Sequence, residues 1–325
     1  MSSDNPSHDV SDNQSASLTD LLPNQGIADV LYVRFQVEDL DKQQQFLDDF
    51  GFATERVDGY LLARGTDAER YCYIAEQGPA QFVEVGFAAL DRARLEAIAQ
   101  IEQVPVEPLP FPGGGVGAQL RDPDGRVVRL VHGIEQPEAL PVPTRAPLNS
   151  GADRQRFGER VSFDSNRQIV KRLGHCVFFV NDFRTSEAWY KRCLSLLTSD
   201  EIAGPSEDKP MGAFLRCNRG DYYVDHHTLF LINAGKADFH HAAFEVADWD
   251  SVLLGHDVLQ RQGYEHAMGI GKHILGSQVF DYWRDPHGFM LEHFTDGDLF
   301  NEASGAHLQT DAAAVMGSHW GTGVS

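Results

Sequence analysis

One turn motif occurs twice in the sequence, as Arg121-Asp122-Pro123-Asp124-Gly125 and again as Arg284-Asp285-Pro286-His287-Gly288. In each copy Pro fixes one φ angle and Gly accepts a positive one, which is what a tight turn between two strands requires. The residues that follow also correspond, so that Arg129 in the first copy stands where Glu292 stands in the second. This recurrence predicts that the chain contains an internal repeat.

A second pair of segments lies upstream and supports the same repeat. Residues 31–40 and 174–183 each contain an apolar strand that ends in an Asp or Asn suited to cap a helix. Apolar residues at helical spacing and glycines after the last turn predict four helices, at residues 40–50, 90–101, 182–193 and 248–262. Alternating stretches such as residues 279–283 and 289–294 predict strands. The fold class is therefore predicted to be α+β, with two tandem domains that each contain two strand–helix–strands modules.

Composition along the chain predicts where these domains begin and end. We expect residues 1–26 to form a polar mobile tail, because they are rich in Ser, Asp, Asn and Gln. The predicted domains are residues 27–133 and 173–300, joined by a linker at residues 134–172. Residues 301–325 are expected to be a C-terminal tail outside the repeat.

Charge and cysteine content narrow the classes of partner and compartment. The formal net charge of -21 argues against nucleic acid and against anionic membranes as partners. No stretch is apolar enough to predict a membrane span or a signal peptide. Four cysteines lie far apart without a Cys-x-x-Cys pair, which favours a reduced cytoplasmic protein; they are Cys72, Cys176, Cys193 and Cys217.

Histidine is concentrated in the second half, where twelve of the fourteen follow residue 150. Strand alternation allows His175, His241 and Glu292 each to point to one face of a sheet. If their strands line one concave sheet, two imidazoles and one carboxylate converge. That is the facial set that leaves three adjacent positions open on an octahedral iron(II). An isolated strand histidine is more often structural than a ligand, so the prediction depends on the three residues together.

The first copy of the repeat provides an internal control. Its residues at the three candidate ligand positions are Tyr32, Glu84 and Arg129. A cationic guanidinium cannot bind a metal ion, and tyrosine with one carboxylate makes a poor site. The first domain is therefore predicted to keep the fold without a metal.

The second copy carries a longer signature, which runs through Gly271-Lys272-His273 and Tyr282 to the Asp-Pro-x-Gly turn and Glu292. Over residues 28–300 the chain resembles the type I extradiol ring-cleaving dioxygenases of the vicinal oxygen chelate superfamily. The resemblance implies that each pair of βαβββ modules forms an open barrel-like sheet. One departure is Asp281, where the signature has an apolar residue, and this affects the expected polarity near Tyr282.

The resemblance also implies roles for individual residues. His175, His241 and Glu292 would bind Fe²⁺, with Mn²⁺ as the alternative that the same ligands suit. His226 would act as the acid/base near O₂, with His227 as the contender, and His273 and Tyr282 would orient the substrate. The implied reaction inserts both atoms of O₂ into a catecholic substrate and cleaves the ring next to the diol. Members of the family are commonly homo-oligomers.

Substrate class is predicted less directly. Residues 285–325 contain no Lys or Arg, which favours uncharged catechols over carboxylated ones. Aromatic residues near the signature are candidates for apolar walls, namely Phe280, Trp283, Phe289 and Phe294. Four cations remain candidates for binding a charged group; they are Arg216, Arg219, Lys272 and Arg284. His256 and His266 are expected to face solvent, whereas His240, His287 and His293 are expected to be structural or to support the ligands.

Two alternative functions remain open at this point. A His₂Glu site on this scaffold can hold zinc or nickel and catalyse a glyoxalase-like isomerisation. The fold can also serve a small-molecule binding protein without catalysis, although that function does not require an intact ligand set.

Overall fold

A computed structural model describes residues 26–142, 147–161 and 169–321. The predicted N-terminal tail, apart from Gly26, lies outside the described residues. The first half contains eight strands and two helices. Its strands are β1 (Ile27–Val37), β2 (Ala53–Val57), β3 (Tyr60–Arg64), β4 (Tyr73–Gln77), β5 (Gln81–Ala89), β6 (Val106–Pro108), β7 (Val116–Arg121) and β8 (Val127–His132). Its helices are α1 (Leu40–Phe50) and α2 (Arg92–Ile101).

The second half repeats this order and adds short elements after it. Its strands are β9 (Val170–Val180), β10 (Leu197–Ile202), β11 (Gly212–Arg216), β12 (Val224–Asp225), β13 (Leu229–Asn233), β14 (Asp238–Val246), β15 (Glu265–His273), β16 (Val279–Arg284), β17 (Met290–Thr295), β18 (Leu299–Phe300), β19 (His307–Gln309) and β20 (Ser318–Gly321). Its helices are α3 (Phe183–Leu194), α4 (Trp249–Gln262) and α5 (Ala312–Val315), with a 3₁₀ turn at Glu302–Ser304. None of the helices in the described ranges is long and apolar enough to cross a membrane.

The two large sheets confirm the predicted repeat. The first has the strand order β2-β3-β4-β1-β5-β8-β7-β6, and the second contains the matching order β10-β11-β13-β9-β14-β17-β16-β15. The central pairings agree in direction: β5 is parallel to β8 as β14 is to β17, and β1 is antiparallel to β5 as β9 is to β14. The chain therefore has the mixed α+β architecture of two tandem units that the sequence predicts.

Helix ends follow the capping residues that the sequence shows. In α1 the side chain of Asp39 accepts hydrogen bonds from the backbone N–H groups of Asp41 and Lys42, and Gly51 ends the helix at a φ of 107°. The bounds of α1 match the prediction. The helices α2, α3 and α4 begin one or two residues later than predicted, because Asp91, Asp182 and Asp248 lie outside their helices as caps.

The C-terminal region differs from the predicted tail. In the structure, β19 extends the second sheet beyond β10, and β20 pairs with β15 at the opposite edge. The segment contains no long periodic run, so its attachment depends on pairing with distant strands that the sequence pattern does not reveal. The predicted linker also ends earlier than expected, because β9 begins at Val170. Residues 143–146 and 162–168 of that linker lie outside the described residues.

Aromatic side chains join the two halves through one core. Phe35 of β1 packs against Phe239 and Phe289, with ring centroids 5.3 and 4.5 Å apart. Phe82 of β5 stacks on Phe239 at 4.9 Å. These contacts bury apolar surface from both halves together, so the second half and its strands are held against the first.

Candidate metal centre

Three neighbouring strands bring the predicted ligands together. In the strand register, Ala243 of β14 lies opposite both His175 of β9 and Glu292 of β17. His241 is two residues before Ala243 and therefore leaves β14 on the same face. The Nε2 atoms of His175 and His241 lie 3.3 and 3.2 Å from the Oε2 atom of Glu292. The ligand atoms of all three residues lie within 4.8 Å of one another.

The chemistry of this cluster fits a bound metal ion. Glu292 is 0% exposed, and both of its carboxylate oxygens lack a hydrogen-bond partner among the described residues. The Nε2 atom of His241 is also buried and has no hydrogen-bond partner among the described residues. Such groups are costly to bury unless a cation or donor satisfies them. Two imidazole nitrogens and one carboxylate are a donor set that first-row divalent metals accept, and the arrangement leaves positions open.

The pKa shifts of the candidate ligands also favour metal binding. Burial alone raises the pKa of Glu292, but the two histidines outweigh this effect and hold the pKa well below its usual range. Burial lowers the pKa of His241, so that its ring is neutral near pH 7. A neutral imidazole and an ionised carboxylate are the forms that bind a metal ion.

His240 supports the ligand next to it. Its Nδ1 atom lies 2.6 Å from Nδ1 of His241, and burial lowers the pKa of His240 to about 3. A neutral His240 can accept a hydrogen bond there, and in the tautomer that donates it His241 carries its proton on Nδ1 and has a bare Nε2 for the metal position.

The equivalent position in the first half is filled by an ion pair. Tyr32 lies opposite Gly86 and Gly86 lies opposite Arg129, which is the register of His175, Ala243 and Glu292. The guanidinium of Arg129 donates to both oxygens of Glu84 at 3.0 and 2.9 Å, and the hydroxyl of Tyr32 donates to Glu84 at 2.8 Å. The alignment of the three positions is thus confirmed, and a cationic side chain lies where the second half has the carboxylate of Glu292, a candidate metal ligand.

A cavity of about 180 Å³ opens beside the three ligands. His273 and Tyr282 line it, with Nε2 of His273 2.9 Å from the hydroxyl of Tyr282. Burial lowers the pKa of His273 to about 4 and raises the pKa of Tyr282 well above its ordinary value. Both side chains are therefore neutral at pH 7, and the tyrosine hydroxyl is available to donate a hydrogen bond.

His226 and His227 have different surroundings, although they are adjacent in sequence. His227 lines the cavity, with its ring centroid 4.1 Å from that of His175. His226 does not line it; its Nε2 atom lies 2.6 Å from Oδ2 of Asp200, and its Nδ1 lies 3.0 Å from Nδ1 of His227. The structure therefore places the contender His227 in the cavity and His226 behind it.

The apolar walls of the cavity come from residues that the sequence did not single out. They are Val177, Phe214, Phe230, Ile232, Met268, Leu275, Met290, Val315 and Met316. The aromatic residues proposed from the sequence lie elsewhere. Phe280 stacks on His273 at 3.9 Å, and Phe289 packs against Phe35. Phe294 is buried with its ring centroid 5.2 Å from that of His175, whereas Trp283 is buried against His256 and His266. No Lys or Arg lies among the lining residues in the described part of the chain.

The cations considered from the sequence are occupied away from this cavity. Arg216 is 1% exposed and donates to the backbone oxygens of Thr198, Asn301 and Gly305. Lys272 pairs with Asp296, and Arg284 donates to the backbone oxygen of Gly288.

Comparison with known proteins gives consistent results. The family model described as Glyoxalase/Bleomycin resistance protein/Dioxygenase superfamily matches residues 172–293, which contain all three candidate ligands. Metapyrocatechase 2 from Cupriavidus necator is 27% identical over 278 residues, which are 85% of this chain and 83% of that protein.

Solved structures show the same fold. The Mn(II)-bound glyoxalase from Novosphingobium aromaticivorans has a TM-score of 0.74 at 20% identity, with 92% of this chain and 93% of that chain covered. The 2,3-dioxygenase LapB from Pseudomonas sp. KL28 has a TM-score of 0.73 at 18% identity, with coverage of 88% and 98%. At these identities the two structures establish the fold alone.

Proposed function

We propose that this chain is an iron(II)-dependent catechol dioxygenase of the glyoxalase/bleomycin resistance protein/dioxygenase superfamily, in its extradiol ring-cleaving branch. The proposed reaction inserts both atoms of O₂ into a catecholic ring and cleaves the bond next to the diol, as a step in the catabolism of aromatic compounds. One observation carries the proposal: two imidazoles and one carboxylate converge beside an apolar cavity that also holds a neutral His–Tyr pair.

His175, His241 and Glu292 are the proposed metal ligands. Bound iron(II) would bring the two oxygens of a catechol together with O₂ and supply the redox chemistry that joins them. One carboxylate leaves the ion with a net positive charge, which suits an anionic chelate. Iron is proposed over manganese because one relative, 25% identical over 161 residues, is named an iron-dependent extradiol dioxygenase; the ligands themselves accept either metal.

His273 and Tyr282 are proposed to orient the substrate. They lie 2.9 Å apart at the cavity wall, and His273 Nε2 is 3.9 Å from Oε1 of Glu292. A ring oxygen placed near the ligands is therefore within reach of both groups. The pair would hold the catechol ring in one orientation relative to the metal ligands.

We assign the acid/base role to His227 rather than to His226. His227 contacts the cavity directly, and burial together with the neighbouring histidines lowers its pKa well below the ordinary value. A neutral imidazole there can take a proton from the substrate and return it to the product. His226 would act as a positioning residue, because it links His227 to the Asp200 carboxylate and thereby restricts the tautomer of His227.

The cavity lining supports an uncharged substrate with apolar substituents. Side chains such as Phe230, Ile232 and Met290 bury apolar surface well but leave a carboxylate without a partner. We therefore propose alkyl- or aryl-substituted catechols as the substrate class, in agreement with the prediction from the sequence.

We also propose a cytoplasmic location and a homo-oligomeric assembly. The four cysteines are buried and unpaired, which suits a reducing compartment. The net charge of -21 favours a small-molecule substrate over nucleic acid or an anionic membrane. The homo-oligomeric assembly is proposed because members of the family that the chain resembles are commonly homo-oligomers. Size-exclusion chromatography with light scattering tests it.

The proposed function is tested with protein reconstituted anaerobically with iron(II) and then mixed with O₂ and a panel of catechols. We expect O₂ uptake together with a yellow ring-fission product, most strongly with uncharged substituted catechols. A preference for carboxylated catechols would overturn the substrate class. Metal binding without O₂ uptake on any catechol would overturn the dioxygenase proposal and favour a glyoxalase-like isomerase, and failure to bind metal would favour a binding protein.

A further inference from the structure

A second group of metal-binding side chains lies on the other face of β16. Asp281 precedes Tyr282 in this strand, so the two side chains leave it in opposite directions. Asp281 meets His256 of α4 and His266 of β15. Nδ1 of His256 lies 3.0 Å from Oδ2 of Asp281, and Nε2 of His266 lies 2.8 Å from Oδ1. The three ligand atoms lie within 4.8 Å of one another.

The carboxylate of Asp281 is buried without an obvious counter-charge. It is 0% exposed, and its burial raises its pKa. Across residues 26–142, 147–161 and 169–321, no Lys or Arg forms an ion pair with it. A buried carboxylate is retained in proteins when it is paired with a cation or binds a metal ion.

The surroundings of Asp281 resemble those of a metal ligand more than those of a simple ion pair. The indole N–H of Trp283 donates to Oδ2 at 2.6 Å and fixes the orientation of the carboxylate. Carboxylates that bind metals are commonly held in this way by a hydrogen bond from outside the ligand set. The side chains of His256 and His266, in contrast, are partly exposed to solvent, at 20% and 33%.

We propose that His256, His266 and Asp281 form a second metal site that binds a borderline divalent cation such as Zn²⁺. Two imidazoles and one carboxylate are ligands that Zn²⁺ accepts, and solvent can provide the fourth. Ligand atoms about 2.0–2.1 Å from a tetrahedral zinc lie roughly 3.3 Å apart. Each of the two nitrogens lies 2.8 or 3.0 Å from one oxygen of Asp281, and the three ligand atoms lie within 4.8 Å of one another. The side chains are therefore already close to the required arrangement.

A metal ion at this second site would connect a different set of helices and strands from the first site. Its ligands come from α4, β15 and β16, whereas the first site uses β9, β14 and β17. A bound ion would tie α4 to the strands that carry His273 and Tyr282, and would stabilise the folded protein by binding it in preference to the unfolded chain. The inference is independent of the proposed reaction, because it depends on other residues.

The test uses iron-loaded protein that is equilibrated anaerobically with Zn²⁺, desalted and analysed for both metals. We expect wild-type protein to hold one zinc ion per chain in addition to its iron, as the two groups of ligands indicate. Asp281→Asn and His266→Ala are expected to retain iron and lose the zinc. His319→Ala removes an exposed histidine outside both groups and should bind both metals as wild type does.

Thermal unfolding provides the second readout. Zn²⁺ is expected to raise the Tm of wild type and of His319→Ala but to leave that of the two site variants unchanged. His266→Ala keeps the test decisive if Asp281→Asn does not fold, because the His266 side chain is one of the more exposed in the group. The proposal is wrong if wild type binds no zinc beyond the iron site, or if the folded variants bind as much zinc as wild type.

Discussion

The Nε2 atom of His293 lies 2.7 Å from the backbone oxygen of Phe50, so the residue next to Glu292, a proposed metal ligand, is hydrogen-bonded to the other half of the protein. The ring of His293 also packs 3.7 Å from the ring of Phe50. Burial lowers the pKa of His293 to about 4, and the neutral ring donates its Nε2 proton to the carbonyl. Since His293 follows Glu292 in β17, the end of α1 helps to fix the strand that presents the carboxylate ligand.

Phe50→Ala should therefore weaken both the fold and the metal site. Phe50 is 0% exposed, and truncation of such a side chain costs about 3–5 kcal/mol of unfolding free energy. We expect a loss of this size in urea unfolding, together with a lower iron content. Phe157→Ala is the matched control, because Phe157 is 76% exposed and its truncation should change neither quantity. Equal effects from both variants would contradict the proposed coupling.

Glu292→Gln tests the metal centre with little change in shape. The amide removes the charge that binds the cation but keeps the size of the side chain. Because the ligand set then loses its only anionic member, we expect the iron content after reconstitution to fall by at least tenfold, in line with the cost of perturbing a metal site. Glu84→Gln makes the same change at the equivalent position of the first half and should leave iron binding intact. Full iron retention in Glu292→Gln would exclude Glu292 as a ligand.

Glu84 should make stability depend on pH. Burial alone raises the pKa of Glu84, but the hydrogen bonds and charges of Arg129 and Arg34 outweigh it, and the net pKa lies below 4.5. The ionised carboxylate therefore stabilises the fold above pH 4.5, and this contribution is lost as the pH falls through the lowered value.

Urea unfolding of wild type and Glu84→Gln at several pH values measures this contribution. At pH 7 the variant leaves the Arg129 guanidinium without its anion, so we expect a loss of roughly 3–5 kcal/mol. The difference between the two proteins should shrink below pH 4.5, where wild type begins to lose the same interaction. A difference that stays constant from acid to neutral pH would show that Glu84 acts through packing alone.

His227→Asn and His226→Asn separate the two adjacent histidines. Loss of a group that transfers protons typically lowers kcat by about 10²- to 10⁴-fold, and we expect this for His227→Asn with little change in KM. His226→Asn should have a smaller effect on kcat and should shift the pH profile, because it frees the tautomer of His227. A larger loss in His226→Asn than in His227→Asn would return the acid/base role to His226.

Met316→Ala should widen the range of substrates. Met316 lines the cavity from the segment that follows α5, and its truncation enlarges the space for a ring substituent. A change of this size in an apolar pocket alters kcat/KM ratios by roughly 10- to 200-fold, and we expect the variant to favour bulkier catechols. Met211→Ala removes an exposed methionine elsewhere and should leave the ratio unchanged. An unaltered ratio in Met316→Ala would show that this segment does not shape the substrate.

The sequence predicted the repeat, the bounds of α1 and the three residues that converge, because turns and strand alternation are local signals. It did not resolve His226 from His227, since these residues lie between β12 and β13, where no strand periodicity applies. Nor did it predict Val315 and Met316 as cavity walls. Their position depends on the pairing of β20 with β15, which joins segments distant in sequence. His266 is exposed as expected, and His256 is half-buried. The contact of both residues with Asp281 was not predicted, because that carboxylate lies on another element, β16.

The ion pair of Glu84 and Arg129 means that the two halves differ in where the positive charge beside their buried carboxylate comes from. The first half carries its positive charge in its own covalent structure, so its centre is complete as soon as the polypeptide folds. Under the proposed function, the second half obtains its charge from the medium as a metal ion bound by its three candidate ligands. When iron is scarce, we expect the second half to become the easier target for proteolysis. Nutrient supply would then set the lifetime of the protein as well as its activity.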